Sequence, residues 1–290
     1  MSTAHTLSLK PSPEQLQQAI RRMEHFSPAP RILARALVMM RDDRGDLLSL
    51  AELIRGDPAL SADILRIANS AYFGIGLMVE SVEHALHTIG YREATRMLNL
   101  AVSRSLTHIN LDSYCITAED FWAESLFNGL FMETLANATG GADPAEAYTA
   151  GLLRYVGRLA INRGIEELGG GLYWIGTEPL AIWEQKNVGF THSQAGTMLL
   201  EHWHFPVNLI EGCRGQESPA LLRKPSWLAS ALYFAASVLP QDFDQVFNPV
   251  LTPTVNSDFL HPNGLTSDAV ATLFTETHAN FLKMRERFTY

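Results

Sequence analysis

Helix-start signals recur along the whole sequence, and they constrain its fold more than any other feature. At the predicted helix starts Ser12-Pro13, Asp57-Pro58 and Asp143-Pro144, a small polar residue directly precedes a proline. The polar side chain can cap a helix while the proline occupies its first turn. Apolar residues follow each signal at helical spacing, whereas sustained strand-like alternation is scarce. We therefore predict an all-α protein.

Further helix-start and helix-end signals divide the sequence into separate helices. Ser49-Leu-Ala-Glu52 has the form of a capping box, which predicts a short helix that opens there and ends near Gly56. Ser81 and Thr117 are placed to cap two more helices. Four of the remaining predicted helices cover residues 14–26, 32–40, 207–213 and 266–287. One more begins at 57 and ends by 74, another begins at 143, and two further helices lie around residue 183 and over 192–203.

Composition and charge bound the class of protein. The 290 residues are 47% hydrophobic, which is enough for an extensive core. A formal charge of −9 argues against nucleic acid or an anionic membrane surface as a partner. The sequence starts without an export signal, and its longest apolar run, residues 227–239, is too short to cross a bilayer. We expect a cytoplasmic protein whose two cysteines, Cys115 and Cys213, are reduced core thiols.

Residues 49–70 have the outline of a DNA-binding helix-turn-helix, with a short helix, a turn at Gly56 and a second helix from Asp57. The second helix opens with acidic and small residues and places its first arginine only at Arg66. Base contacts come from the first turns of a recognition helix, so we interpret the unit as a packing element.

Two histidine pairs raise the question of a metal site. His84 and His87 are three residues apart on a predicted helix, and His202 and His204 are two apart on another. A protein metal site needs at least a third convergent ligand, and the sequence identifies none. We expect surface histidines, with no metal and no cofactor.

Several longer strings together resemble the HDOD family, the HD-related output domains of bacterial signalling proteins. The resemblance covers about residues 12–240. The matching strings are Pro28-Ala-Pro30, Leu53-Ile-Arg-Gly-Asp-Pro-Ala-Leu60, Leu65-Arg-Ile-Ala-Asn-Ser-Ala-Tyr-Phe-Gly74, residues 81–90, Phe121-Trp-Ala-Glu-Ser125, residues 146–157, Gly189-Phe-Thr-His-Ser-Gln-Ala-Gly196, Leu199-Leu-Glu-His-Trp203 and Pro206. Within them we expect an architectural role, in caps and turns, for Asp57, Pro58, Asn69, Ser70, Gly74 and Gly90.

The resemblance also implies a degenerate active site. Related catalytic HD proteins, including the HD-GYP phosphodiesterases, bind metal through histidines and aspartates, and most of those positions are changed in this sequence. Glu124 stands in place of a histidine, Arg154 and Tyr155 replace a His-Asp pair, Gln216 and Glu217 replace two histidines, and only His192 survives. Arginine cannot bind a cation, and its charge repels one. Two placements of Arg154 stay open: a pair with Glu124 or Glu217, or a side chain that reaches solvent.

These observations predict a function and an organisation of the protein. We expect an N-terminal helical lobe (12–110) packed on an HD-like helical bundle (117–240), followed by an irregular connection and a C-terminal helix (241–290). The resemblance implies a non-catalytic signalling output or scaffold domain that contacts another signalling protein. The alternative is a degenerate phosphohydrolase, acting on a cyclic dinucleotide or a nucleotide, that holds one ion between Glu124, His192 and Glu217.

Overall fold

A computed structural model describes residues 12–22, 29–41, 47–69, 79–106, 110–239 and 258–288. These residues form helices without a β-strand among them, so the all-α prediction is confirmed. In sequence order the helices are α1 Pro13–Arg22, α2 Ala29–Arg41, α3 Leu47–Arg55, α4 Pro58–Ala68, α5 Val82–Leu106, α6 Ala118–Thr139, α7 Pro144–Leu152, α8 Val156–Glu167, α9 Leu180–Asn187, α10 His192–His202, α11 Val207–Gly215, α12 Trp227–Val238 and α13 Ser267–Phe288. None of the described helices is long and apolar enough to span a membrane.

Most of the predicted caps form the expected hydrogen bonds. Asp57 accepts from the backbone N–H of Leu60 (3.1 Å) at the start of α4, and Ser81 accepts from His84 (3.1 Å) before α5. Thr117 caps α6, and Asp143 caps α7 with Pro144 in the first turn. Ser12 and Gln15 bond each other reciprocally at the start of α1. These caps join residues only two or three positions apart, which is why they can be read from sequence.

The capping box predicted at Ser49 is wrong. Helix α3 already begins at Leu47, so Ser49 lies inside its first turn and does not precede it. Leu50, Ala51 and Ile54 are buried, and Leu47 packs against the same core. The apolar stripe thus continues upstream of Ser49, and burial of that stripe outweighs the local capping preference.

Two of the family-motif residues have clear architectural roles. Asn69 follows α4, and its side-chain amide binds the backbone N–H and C=O of Val79 (2.8 and 2.9 Å) together with the C=O of Leu65 (2.9 Å). Gly90 interrupts α5 with φ +75° and ψ 176°, a conformation that strongly favours glycine, and kinks the helix there. Ser70 and Gly74 lie outside the described residues.

One continuous set of buried apolar side chains joins the first five helices to the remainder. Helix α5 packs against α6 and α7, and α6 is covered on another side by α13, where Phe127 contacts Phe274 and Phe281. Polar links reinforce the first of these contacts: Arg96 pairs with Glu133, and Thr149 binds Asn99 (3.2 Å). The proposed division into domains near residues 110–117 stays a prediction.

The connection between α5 and α6 is held by side chains of α8 and α9. Leu111 and Ile116 form an isolated antiparallel bridge around the short 3₁₀ helix Asp112–Tyr114. Asn162 on α8 accepts from the backbone N–H of Ser113 (2.9 Å) and donates to the C=O of Asn110 (3.2 Å). Cys115 in this connection is exposed, which corrects the expectation of a core thiol, whereas Cys213 is buried.

Candidate functional site

Two glycines of the segment 150–157 position the degenerate HD site. A methyl group at Gly151 would overlap the backbone of Asn128 on α6, and one at Gly157 would overlap the carbonyl oxygen of His192 at the start of α10. Only glycine therefore permits the turn between α7 and α8 to approach both helices so closely. This turn carries Arg154 and Tyr155 into the space between α6, α10 and α11.

Arg154 adopts neither of the two placements that the sequence left open. Its side chain is only 4% exposed, so it does not reach solvent, and its guanidinium forms no ion pair with any residue that the structure describes. Nη1 instead donates to Oδ1 of Asn128 on α6 (2.8 Å), and the guanidinium lies 4.8 Å from the ring centre of Tyr155. Burial lowers the pKa of Arg154, because the charged form is removed from water.

Arg158, one helical turn beyond Arg154, forms the ion pair instead. Its Nη1 lies 3.1 Å from Oε2 of Glu124, and its guanidinium lies 3.8 Å from the ring centre of Tyr155. Burial acts to lower the pKa of Arg158, but Glu124, Tyr155, Tyr114 and Glu184 together outweigh that effect, so the pKa is raised. Tyr155 is thus in contact with both arginines, and burial raises the pKa of its phenol.

Gln216 links the same turn to α11. Its buried Nε2 donates to the backbone carbonyl oxygen of Arg154 (3.1 Å). The resemblance to HD enzymes implies a metal-binding histidine at this position. The amide therefore fastens the end of α11 to the turn between α7 and α8. Hydrogen bonds of Arg154 and Gln216 thus join α6 and the end of α11 to the turn between α7 and α8.

His192, the one surviving HD position, is held by a glutamate that the sequence did not suggest. Glu184 on α9 is fully buried, and its Oε2 lies 2.9 Å from His192 Nδ1 and accepts from the His192 backbone N–H (2.8 Å). Tyr114 donates its hydroxyl to Oε1 of the same carboxylate (3.0 Å). Burial acts to raise the pKa of Glu184, but the charge and hydrogen bonds of His192 hold it below its usual value.

Glu217 completes a group of three residues that could hold an ion. Ligand atoms of Glu184, His192 and Glu217 all lie within 4.8 Å of one another, and Glu217 Oε1 lies 3.6 Å from His192 Nδ1. Glu124, which the sequence placed in this role, is bound by Arg158 and lies outside the group. An ionised carboxylate only accepts hydrogen bonds, so the proton of His192 is held on Nδ1, facing Glu184. An ion between them would displace those bonds, and the residues present do not fit an HD-type metal centre.

The other histidines that the sequence raised as candidates lie elsewhere. His84 and His87 are exposed on α5, and His202 and His204 are exposed around the end of α10. None of the four belongs to a group of three or more ligand side chains among the described residues. The sequence also missed Asn128 and Arg158. Each stands four residues after a position that it did single out, Glu124 and Arg154, and that spacing was the available signal.

The HDOD domain family model matches residues 27–219, which is well over half of the sequence. The chain belongs to the HDOD family. An uncharacterized protein of Treponema pallidum (strain Nichols) is 28% identical over 172 residues, which cover 58% of this chain and 33% of that protein. The chain thus spans about a third of the length of this relative.

Solved structures share the fold. An HDOD domain protein of unknown function from Geobacter sulfurreducens matches with a TM-score of 0.65 and 18% identity, over 96% of this chain and 99% of that one. A candidate signal transduction protein from Marinobacter aquaeolei VT8 matches with a TM-score of 0.68 and 20% identity, over 96% of this chain and 65% of that one. A candidate phosphohydrolase from Shewanella amazonensis SB2B matches with a TM-score of 0.58 and 19% identity, over 94% and 95%.

Proposed function

We propose that this protein is a non-catalytic signalling output or scaffold domain that acts through contacts with other proteins. One observation carries the proposal: at two of the positions implied for an HD metal site, the buried Arg154 side chain donates to Asn128, and Gln216 donates to the backbone carbonyl oxygen of Arg154. A buried arginine in this position disfavours a divalent cation electrostatically. The site then serves to join helices, and the signalling function is carried out by surface residues that contact other proteins.

The relatives add support of a general kind. Membership of the HDOD family agrees with a signalling role, as does the name of the Marinobacter protein. The name of the Shewanella protein favours the hydrolase alternative instead. Each of these two structures is less than 25% identical to the protein, so the local arrangement of side chains weighs more than either name.

Metal content and hydrolysis together test the proposal. We expect the purified protein to hold no stoichiometric transition metal and to leave cyclic dinucleotides and nucleotides intact in the presence of Mn²⁺, Mg²⁺ or Fe²⁺. A catalytic metal site uses about three protein ligands plus an open position, and the changed residues remove most of that set. One or two bound ions per protein molecule, with turnover that disappears in His192→Ala, would overturn the proposal.

A second candidate function is a phosphohydrolase that uses a single ion, because Glu184, His192 and Glu217 form a group that could hold one. Two variants separate it from the proposal. If an ion binds there, Glu184→Gln and Glu217→Gln should both abolish metal binding and turnover. If the group is only structural, Glu184→Gln should lower stability, whereas Glu217→Gln should change little, because Glu217 is half-exposed and makes no hydrogen bond in the described structure.

A further inference from the structure

A short segment after α8 has the side-chain pattern of a β-strand but no partner strand among the described residues. Residues 171–175 contain no helix, turn or bend. Leu172 and Trp174 pack against the core, while the alternate residues Tyr173 and Ile175 are 57% and 72% exposed. This period of two is that of a strand with one buried face. Two large apolar side chains thus stand next to each other on the outer face.

The backbone of the segment is paired on one edge alone. Trp174 donates its N–H to the C=O of Ser113 (2.7 Å), and its indole Nε1 donates to the C=O of Glu178 (2.9 Å). Because successive backbone groups of an extended segment point to opposite sides, those of Tyr173 and Ile175 point away from Ser113. Neither residue forms a backbone hydrogen bond to any described residue.

Glycines bound the segment and fix where it lies. Gly171 has φ +94° and Gly176 has φ +76°, so the backbone can turn sharply at both ends. Trp174 anchors the middle through its backbone, its indole N–H and its packing. The open edge is therefore held in place on the body of the protein, so little ordering entropy remains to be lost when a partner arrives.

We propose that the edge formed by Tyr173 and Ile175 is a docking site for an extended segment of a partner protein, which joins it as an added β-strand. Backbone pairing would supply affinity, and apolar side chains of the partner would cover Tyr173 and Ile175. This inference rests on the proposed function, since it names the surface through which the protein contacts are made. A helix cannot satisfy the open backbone groups, so the partner segment is extended.

Charge decides between a foreign partner and a second copy of this protein. Glu167 is exposed just before the segment and forms no ion pair with a described residue, whereas Glu166 is paired with Arg163 and Glu178 with Lys186. The whole sequence has a formal charge of −9. Two copies paired through this edge would bring their Glu167 side chains and two molecules of net negative charge together, which costs free energy. Glu167 and the net negative charge of the protein favour an extended segment with apolar residues at alternate positions and Lys or Arg at its ends.

An arrayed library of nine-residue peptides provides the probe. The peptides carry a random interior with lysine at both ends, and a matched array carries glutamate at both ends. We expect selection of lysine-ended peptides with alternating apolar residues. Ile175→Pro removes the outward N–H without breaking a hydrogen bond of the folded protein, and it should weaken binding about tenfold, as the loss of one hydrogen bond predicts. Val207→Ser, at an exposed apolar residue of α11, is the control and should bind normally.

Amide hydrogen exchange gives a readout that does not depend on a variant. In the free protein the Tyr173 and Ile175 amides should exchange rapidly, and the selected peptide should slow both at least about tenfold, while Trp174 changes little. Peptides that bind Ile175→Pro as tightly as wild type, or that protect other amides, would overturn the docking site and leave the proposed function standing. Metal-dependent hydrolysis would overturn the proposed function without altering the peptide result.

Discussion

At the scale of single residues, two arginine contacts with α6, rather than one, organise the degenerate site. Glu124 and Asn128 lie one turn apart on α6, and they receive Arg158 and Arg154 respectively. Only the first pair joins opposite charges. The second places a buried cation on a neutral amide, with Tyr155 alongside and no described carboxylate in contact. The two arginines therefore contribute to stability in different ways.

A double-mutant cycle separates the two arginines. Arg158→Met should cost about 3–5 kcal/mol, because it leaves the mostly buried Glu124 carboxylate unpaired. Arg154→Met should cost about 1–3 kcal/mol, the penalty of an unmet acceptor on Asn128. Combined with Glu124→Gln, the Arg158 variant should show a coupling of about 1 kcal/mol or more, and the Arg154 variant a clearly smaller one. Urea unfolding measures each variant, and equal couplings would contradict this assignment of the ion pair.

The Glu184 carboxylate predicts a pH dependence of stability. Its pKa is lowered in the folded state by His192, so its contribution is present above the unfolded value of about 4.5 and is lost as the pH falls through the folded pKa. Glu184→Gln should cost about 1.5–3 kcal/mol at pH 7, since it removes charge-assisted hydrogen bonds. The gap to wild type should narrow below pH 4.5. Urea unfolding of both proteins, from neutral pH down to about one pH unit below 4.5, measures this difference in stability. Glu167→Gln, at an exposed residue, is the control. A difference between wild type and Glu184→Gln that grows as the pH falls would refute the prediction.

At the scale of elements, close approach of helices is set by glycines, most of which lie in the family strings. Helices α8 and α10 meet at Gly157 and Gly196, where the two backbones are nearly in contact. Helices α6 and α7 meet in the same way at Gly129 and Gly151. The sequence showed the HD-like string 150–157, but it did not show that two of its glycines are required by the backbones of distant helices.

Two glycines of α8 form a matched test. A methyl group at Gly157 would lie 2.6 Å from the backbone nitrogen of Gly196 and would overlap His192, so Gly157→Ala should destabilise the protein by about 3 kcal/mol or more. A methyl group at Gly164 would make an ordinary contact with Leu16 at 3.4 Å. Gly164→Ala should therefore be neutral or stabilising by up to about 1 kcal/mol, because alanine is the better helix former. Thermal unfolding compares them, and similar midpoints would argue against the close approach.

At the scale of the whole molecule, net charge and the pairing of its arginines argue against DNA reading by α3 and α4. The net charge is −9, and Arg66, the first arginine within α4, pairs with Asp63 on its own helix. Asp57 at the start of α4 is buried as a cap, so it is not presented to a ligand. The unit formed by α3 and α4 packs against α5, and its two arginines, Arg55 and Arg66, are both ion-paired, with Glu83 and Asp63.

Duplex DNA should accordingly bind no better than the general non-specific level, with a dissociation constant of about 10⁻⁴ to 10⁻⁶ M or weaker. Fluorescence anisotropy with a labelled duplex at about 50 and about 200 mM salt measures this. The matched variant is Arg66→Ala, which should leave the weak signal unchanged. Tight, salt-sensitive binding that disappears in Arg66→Ala would show that α4 reads DNA.

Local signals in the sequence determined the helical class, most helix starts and the family. Asp57, Ser81, Thr117 and Asp143 cap helices through bonds to residues at most three positions away, so no knowledge of the rest of the protein was needed. Where burial competed with capping, as at Ser49, the local signal failed. The family strings were long enough to be recognised without a structure.

Only the tertiary structure decided which side chains meet. Arg158 rather than Arg154 pairs with Glu124, and Glu184 rather than Glu124 stands beside His192, because the offset and rotation of α6, α8, α9 and α10 determine those distances. A change of one turn along a helix moves a side chain by about 5.4 Å, which is enough to exchange one partner for another. The open edge at Tyr173 and Ile175 was likewise invisible in sequence, since it depends on Trp174 reaching Ser113, a residue far earlier in the sequence.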